Sequence, residues 1–268
     1  MTKVAIITGA SSGIGRSLAL KGAELGYHLS LFARNLTALE SLKNEIQQFS
    51  SVEVLLVKGD VSIEEDCSNL IKQTVEKFHH IDILINNAGI SMRSLFKDVD
   101  LNVIDSLMKT NFWGTVYCTK FALPYLLSRK GTVVGVSSIA GFKGLPARTG
   151  YSASKFAMQG FLESLRVENL KTGLHVLIAC PGYTSSNIRN TALNEKGVAQ
   201  GDTPLDESKL MSSDKVAIEI WSAIEKHKRY LILTLQGKMA VFLNKISTKL
   251  TDILTYNVIS KEPDSPFK

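Results

Sequence analysis

Val4-Ala5-Ile6-Ile7-Thr8-Gly9-Ala10-Ser11-Ser12-Gly13-Ile14-Gly15 is an apolar, β-branched run that ends in a glycine-rich turn and passes into a helical pattern. A buried strand feeding a helix through such a turn opens a βαβ unit. Gly9 lets the chain turn, while Gly13 and Gly15 permit close approach of backbone to ligand and of helix to sheet. The new helix, opened by Gly13, Ile14 and Gly15, offers free N–H groups to a pyrophosphate, and Ser11 and Ser12 add hydroxyl donors. The spacing is G-x-x-x-G-x-G, not the common G-x-G-x-x-G dinucleotide fingerprint. Three glycines and two serines exceed what a plain strand-to-helix joint requires.

Outward from this turn, short β-branched runs alternate with longer 3.6-period segments as far as about residue 180. Strands are predicted at 3–8, 28–33, 53–58, 82–86, 131–137, 174–179 and 230–235. Helices are predicted at 14–26, 36–49, 63–78, 101–129, 151–172 and 214–226. Right-handed crossovers then require an α/β fold: a single doubly wound parallel sheet (Rossmann) flanked by helices, with a C-terminal amphipathic helix. Residues 183–213 break the rhythm with Gly197, Gly201 and Pro204 and read as a substrate lid rather than a linker. The expected organisation is a catalytic domain over 1–236, lid included, with 237–268 as an amphipathic extension of the same domain.

The 268 residues are 44% hydrophobic and 21% charged, which excludes a disordered or low-complexity chain and supplies one large core. The net charge of +6 comes from 31 Lys and Arg scattered among 25 Asp and Glu. Without basic blocks the excess suits an anionic small molecule, and no nucleic-acid partner is expected. Cys67, Cys118 and Cys180 are odd in number and widely spaced, with no metal-ligand pattern, so no metal site is expected and a reducing compartment is the default. No apolar run reaches about 18 residues, and the reading is a cytoplasmic, non-spanning protein.

Five further motifs fall at the joints of this pattern. Asn86-Asn87-Ala88-Gly89 follows one strand, and Asn111 lies on the next helix. Ser137-Ser138 ends a strand, Tyr151-Ser152-Ala153-Ser154-Lys155 opens a helix, and Pro181-Gly182 closes another strand. In their order and spacing, together with the glycine turn, they resemble the classical short-chain dehydrogenase/reductases, over nearly the whole chain except its last 40 residues. The wording around Ala33-Arg34-Asn35 and Tyr151–Ala157 is similar to steroid-type and 3-ketosphinganine-type reductases of that family.

The resemblance implies a nicotinamide dinucleotide. At the end of the second strand, Leu31-Phe32-Ala33-Arg34-Asn35 lacks the carboxylate that NAD-using folds place on the ribose hydroxyls. Arg34 can clamp a 2′-phosphate, so the expected cofactor is NADP(H), with Asn35 beside it; the plain alternative is a solvated arginine before a helix. By resemblance, Asp60 and Val61 border the adenine, and Asn87, Ala88 and Gly89 line the ribose side. Pro181, Gly182, Thr184 and Ser186 stand where the family commonly has Pro-Gly-x-Val-x-Thr. Thr184 replaces the aliphatic residue and Ser186 the threonine, so the hydroxyl near the nicotinamide amide survives on an uncertain donor.

Tyr151 and Lys155 are four residues apart, which puts both on one helix face with Cβ atoms about 5–6 Å apart. A free tyrosine, at about pKa 10, is matched poorly to proton transfer near neutrality. An ammonium about 5 Å away is expected to lower it by roughly two units at an effective dielectric of 20. By resemblance, Ser138 donates a hydrogen bond to the substrate oxygen that Tyr151 protonates, and Lys155 also bonds the nicotinamide ribose. Asn111 is expected to hold a water that connects Lys155 to solvent.

These residues imply a reductase of carbonyls, or dehydrogenase of alcohols, for an apolar, steroid, lipid or 3-oxoacyl substrate, with Phe142, Leu145 and Pro146 as an apolar wall. The competing reading is a non-catalytic NADP-binding sensor or scaffold, against which an intact Ser138, Tyr151 and Lys155 argue. Between 238 and 260, Met239, Phe242, Leu243, Ile246, Leu250 and Leu254 recur at helical steps among Lys238, Lys245 and Lys249. This segment either packs on its own body or a sister subunit, or makes peripheral contact with a membrane. A homodimer or homotetramer through 101–129 and 151–172 is implied by resemblance alone.

Overall fold

The computed structural model describes residues 2–185, 187–201, 210–261, 265 and 267. Seven parallel strands form the central sheet: β1 Val4–Thr8, β2 His28–Ala33, β3 Val54–Lys58, β4 Ile83–Asn86, β5 Thr132–Val136, β6 His175–Cys180 and β9 Tyr230–Ile232. Their order is β3-β2-β1-β4-β5-β6-β9, so the chain reverses its winding direction beside β1. The carboxyl ends of β1 and β4 therefore bound the crevice in which doubly wound sheets bind ligands. Every residue of β1, β5 and β6 is buried, because helices cover both faces of the sheet.

On one face lie α1 Gly13–Glu24, α2 Leu36–Gln47 and α7 Ser213–Glu225. Leu18, Leu42 and Trp221 fill the core there. Trp221 Nε1 donates to the Leu18 carbonyl at 3.0 Å, and Gly22 leaves room for the indole. On the other face, α3 Glu64–Phe78, α5 Gly114–Arg129 and α6 Thr149–Glu168 pack Leu70, Leu126 and Met158 against the sheet.

Three sequence expectations need correction. The helix expected over 101–129 is split into α4 Leu101–Leu107, a π-helical stretch Met108–Trp113, and α5. The widened turn lets Asn111 reach sideways: its Oδ1 accepts from Ile90 N at 2.8 Å and its Nδ2 donates to Ile90 O at 3.0 Å. The last strand ends at Ile232, not 235. Thr234, at φ 67°, turns the chain and its hydroxyl accepts from Gly237 N, capping α8 Leu235–Ile246. The single amphipathic helix expected over 238–260 is a pair, α8 and α9 Thr248–Ser260, broken where Ser247 becomes extended and caps Leu250 N at 3.2 Å.

Within the excursion 183–213, β7 Thr184–Ser185 pairs in parallel with β8 Met211–Ser212, and Leu193 bridges to Met92. Residues 202–209 and Ser186 lie outside the described residues.

Candidate active site

The first glycine turn is closed by atoms that leave no space for side chains. Gly9 and Gly13 have φ of 65° and 52°, and a Cβ on Gly15 would lie 2.1 Å from the Gly9 carbonyl oxygen. Thr8 ties this turn to the end of β4: its hydroxyl accepts from both Asn87 N and Ala88 N at 3.0 Å. Asn87 Nδ2 answers by donating to Thr8 O at 2.9 Å. Ser12, the exposed N-cap of α1, makes no side-chain cap, so the first N–H groups of Gly13, Ile14 and Gly15 keep their donors for a ligand. Ser11 is half-buried beside them. This tight, donor-rich cradle at the winding reversal fits the pyrophosphate of a dinucleotide.

At the end of β2, Arg34 leans towards Asp60, Nη1 to Oδ2 3.6 Å. The other carboxylate oxygen of Asp60 accepts from Ser62 N and Oγ. Asn35 spends its side-chain oxygen on Ala38 N at 3.0 Å, capping α2. Val61 is buried against Gly114. After β6, Gly182 packs on Thr234, whose hydroxyl a Cβ there would approach to 2.8 Å. Thr184 donates from its hydroxyl to the Gly182 carbonyl at 3.2 Å, next to Pro181.

Ser138, Tyr151, Lys155 and Asn111 come together beneath Gly89. A Cβ on Gly89 would stand 3.1 Å from Asn111 Oδ1 and 3.4 Å from Lys155 Nζ. Lys155 Nζ donates to the Val136 carbonyl at 2.9 Å and lies 5.8 Å from the centre of the Tyr151 ring. Asn111 Nδ2 also donates to Ser154 Oγ at 2.9 Å, so its amide pins the Ile90 loop to α6. Ser138 begins a short 3-10 turn, Ile139–Gly141, and accepts from Ala140 N at 3.1 Å.

The electrostatics reverse one expectation. Burial raises the Tyr151 phenol above its usual 10, while hydrogen bonding to the Ser138 side chain and the charge of Arg148 pull it down. Burial also lowers Lys155 to about 8. Lys155 shares the desolvated interior and is engaged by the Val136 carbonyl, so Ser138 and Arg148 are the groups that favour the phenolate. The Cys180 thiol is raised to about 12 by burial, which agrees with a structural, unreactive cysteine.

Sequence reasoning missed Gln159, one turn beyond Lys155. It is buried, and its Nε2 donates to Ser137 Oγ at 2.9 Å. The four-residue steps Tyr151, Lys155, Gln159 were the available signal. It missed Thr8 as well, whose place just before Gly9 marks it as the strand-end residue beside the turn.

The fold is a doubly wound α/β sheet that carries a glycine-rich cradle and a buried Ser-Tyr-Lys cluster. A sequence model of the short chain dehydrogenases matches residues 3–197, and the chain belongs to the short-chain dehydrogenase/reductase family. It is 41% identical over 192 residues to 11-beta-hydroxysteroid dehydrogenase-like 4A of Arabidopsis thaliana, a match covering 71% of this chain and 64% of that relative. A short-chain dehydrogenase/reductase from Burkholderia phymatum, solved with NAD, superposes with a TM-score of 0.81 at 25% identity, covering 93% of this chain and 95% of that one. An alcohol dehydrogenase of the archaeon Thermococcus sibiricus, complexed with 5-hydroxy-NADP, shares the fold at a TM-score of 0.76 and 24% identity, over 86% of this chain and 94% of that one.

Proposed function

We propose that the protein is an NADP(H)-dependent reductase of an apolar ketone, running in reverse as an alcohol dehydrogenase. The observation that carries this reading is the buried cluster in which Tyr151 hydrogen-bonds Ser138 while Lys155 lies across its ring. The cradle of Gly9, Ser11, Ser12, Gly13, Ile14 and Gly15 would hold the pyrophosphate, and Arg34 the 2′-phosphate. Asp60, Val61, Asn87, Ala88 and Gly89 would line the adenosine and ribose, and Pro181, Gly182, Thr184 and Ser186 the nicotinamide end. When bound, the dinucleotide supplies the hydride.

The rest is work for the chain's own side chains. Ser138 and Tyr151 aim two donors at one substrate oxygen, where negative charge grows as the carbonyl is reduced. Tyr151 gives up its phenolic proton to that oxygen, and the phenolate left behind is favoured by Ser138 and Arg148. Lys155, held by Val136 O, lies over the Tyr151 ring and is the group through which the proton returns. Asn111 fixes the Ile90 loop against α6 and so sets the wall above Lys155. The 183–213 excursion is the lid. A homodimer or homotetramer belongs to the same reading, on the strength of the family alone.

The test is loss of NADPH absorbance with a panel of apolar ketones, wild type against Tyr151→Phe and Ser138→Ala. The expected result is a fall of at least a hundredfold in kcat for Tyr151→Phe with dinucleotide affinity retained. Equal rates in wild type and Tyr151→Phe would overturn the assignment. Dinucleotide binding without turnover of any ketone by the wild type would instead favour a sensor.

A further inference from the structure

We propose that the outward faces of α8 and α9 dock the protein on an anionic bilayer surface. On the reductase reading, the ketone is then taken from that bilayer. In α8, Leu235, Met239, Phe242 and Ile246 follow one another at steps of four, three and four and are all exposed, Leu235 by 74% and Ile246 by 66%. The residues that α8 buries, Gly237 and Val241, lie on its opposite side. In α9, Leu250 and Leu254 are exposed and the buried Ile259 lies opposite. Both helices thus turn their most apolar stripe away from the core, the reverse of ordinary surface helices.

Charge decides what covers this face. Lys238 and Lys245 flank the α8 stripe and Lys249 opens α9; all three are exposed. Asp252 is the single acid between 235 and 260, and it is engaged by Lys143. An apolar stripe edged by lysines matches acyl chains below and anionic headgroups around them. A second copy fits less well, since a two-fold contact through the same face would set lysine flank against lysine flank. Among the described residues no helix is long and apolar enough to cross a membrane, so the pair lies on the surface.

The hairpin is also joined to the active site. Asn244 Nδ2 donates to the Phe142 carbonyl at 3.1 Å, and Gly237 packs on Ile139, the residue after Ser138. A cavity of about 560 Å³ opens between the turn that carries Leu145 and Pro146, the start of α6 at Ser152, and the edge of α9 at Asp252, Thr255 and Tyr256. Docking would set the bilayer on one side of α9 and this cavity, beside the start of the catalytic helix, on the other.

The purified full chain would be floated with phosphatidylcholine vesicles and with vesicles containing phosphatidylserine. Co-flotation with the second is expected, to be lost by at least tenfold in Met239→Glu/Phe242→Glu and reduced by about tenfold in Lys238→Glu/Lys245→Glu. Both pairs lie on the surface, and unchanged reduction of a water-soluble ketone would verify their fold. Absence of flotation overturns the proposal. So does concentration-dependent self-association that Phe242→Glu abolishes, which would assign the face to a second copy. Flotation without reductase activity would sink the enzymatic reading and leave the docking surface standing. Wild-type preference for a vesicle-dissolved ketone, lost in Met239→Glu/Phe242→Glu, is expected if both hold.

Discussion

Gln159 Nε2 lies 2.9 Å from Ser137 Oγ and 3.4 Å from the Ser138 carbonyl oxygen, so a buried amide holds the backbone that presents Ser138. It stands on the same helical stripe as Tyr151 and Lys155, and thereby ties Tyr151 and the Ser138 segment to one helix. Gln159→Leu should leave Ser137 Oγ without the amide donor and Ser138 O with the Gly141 N–H alone, at a stability cost of about 1–3 kcal/mol. With Ser138 freed, kcat should fall about tenfold with KM for NADPH unchanged. Gly141→Ala should give the same split, because its Cβ would lie 2.2 Å from Gln159 Nε2. Steady-state kinetics that show KM for NADPH moving with kcat would assign Gln159 a merely structural role.

Lys155 carries its charge at a cost to folding. Burial brings it to about 8 from an ordinary 10.5. Below pH 8 both folded and unfolded chains hold the proton, and the penalty for enclosing the ammonium is fully present, roughly 3 kcal/mol as an upper bound. Between pH 8 and 10.5 the folded state sheds its proton first, so the penalty is relieved and stability rises relative to a chain without the group. Lys155→Met should therefore be inactive yet melt higher than wild type at pH 7, with the gap closing towards pH 10.5. A gap independent of pH, read by thermal unfolding across that range, would show that Lys155 is not buried as a cation.

The alternation of strands and helices, the glycine turn and the facing of Tyr151 and Lys155 were legible because each depends on local pattern: β-branched runs between 3.6-period segments, glycine spacing, and helical spacing; Ser138 and Asn111 entered only through the family resemblance. Part of what escaped depends on contacts distant in sequence. The π-helical stretch at Met108–Trp113 accompanies the pairing of Asn111 with Ile90, which has no local signature. The lowered tyrosine expected from Lys155 spacing ignored that burial acts on both groups at once. The break at Ser247 escaped because the apolar periodicity runs straight through it, whereas capping of Leu250 N by the serine hydroxyl ends one helix and starts the next.

The exposed Arg34 and the half-buried Asp60 form a pair, 3.6 Å apart, that contributes little to stability. Its worth lies in leaving a guanidinium at the end of β2, where a 2′-phosphate would arrive. Arg34→Asp should set a second carboxylate beside Asp60 and repel that phosphate. The expected outcome is a fall of at least tenfold in kcat/KM for NADPH relative to NADH, with the unfolding midpoint unchanged. An unaltered ratio of the two cofactors would remove Arg34 from the clamp.

Gly15 and Gly160 make opposite predictions from the same substitution. A Cβ on Gly15 would stand 2.1 Å from Gly9 O and 2.5 Å from Asn87 Nδ2, the atom that ties the turn to β4. The Gly9 carbonyl is backbone and the Asn87 amide is held by Thr8 O, so neither can yield without opening the cradle. Gly15→Ala should lower the melting temperature by several degrees, as expected for overpacking of about 1–3 kcal/mol, and should abolish dinucleotide binding. Gly160, inside α6 and exposed, has nothing within 4 Å of its missing Cβ. Gly160→Ala should gain the helix propensity of alanine, up to about 1 kcal/mol, and raise the melting temperature with dinucleotide titration unchanged. Calorimetry with and without NADPH separates the two, since ligand should shift the melting of the Gly160 variant but not that of the Gly15 variant.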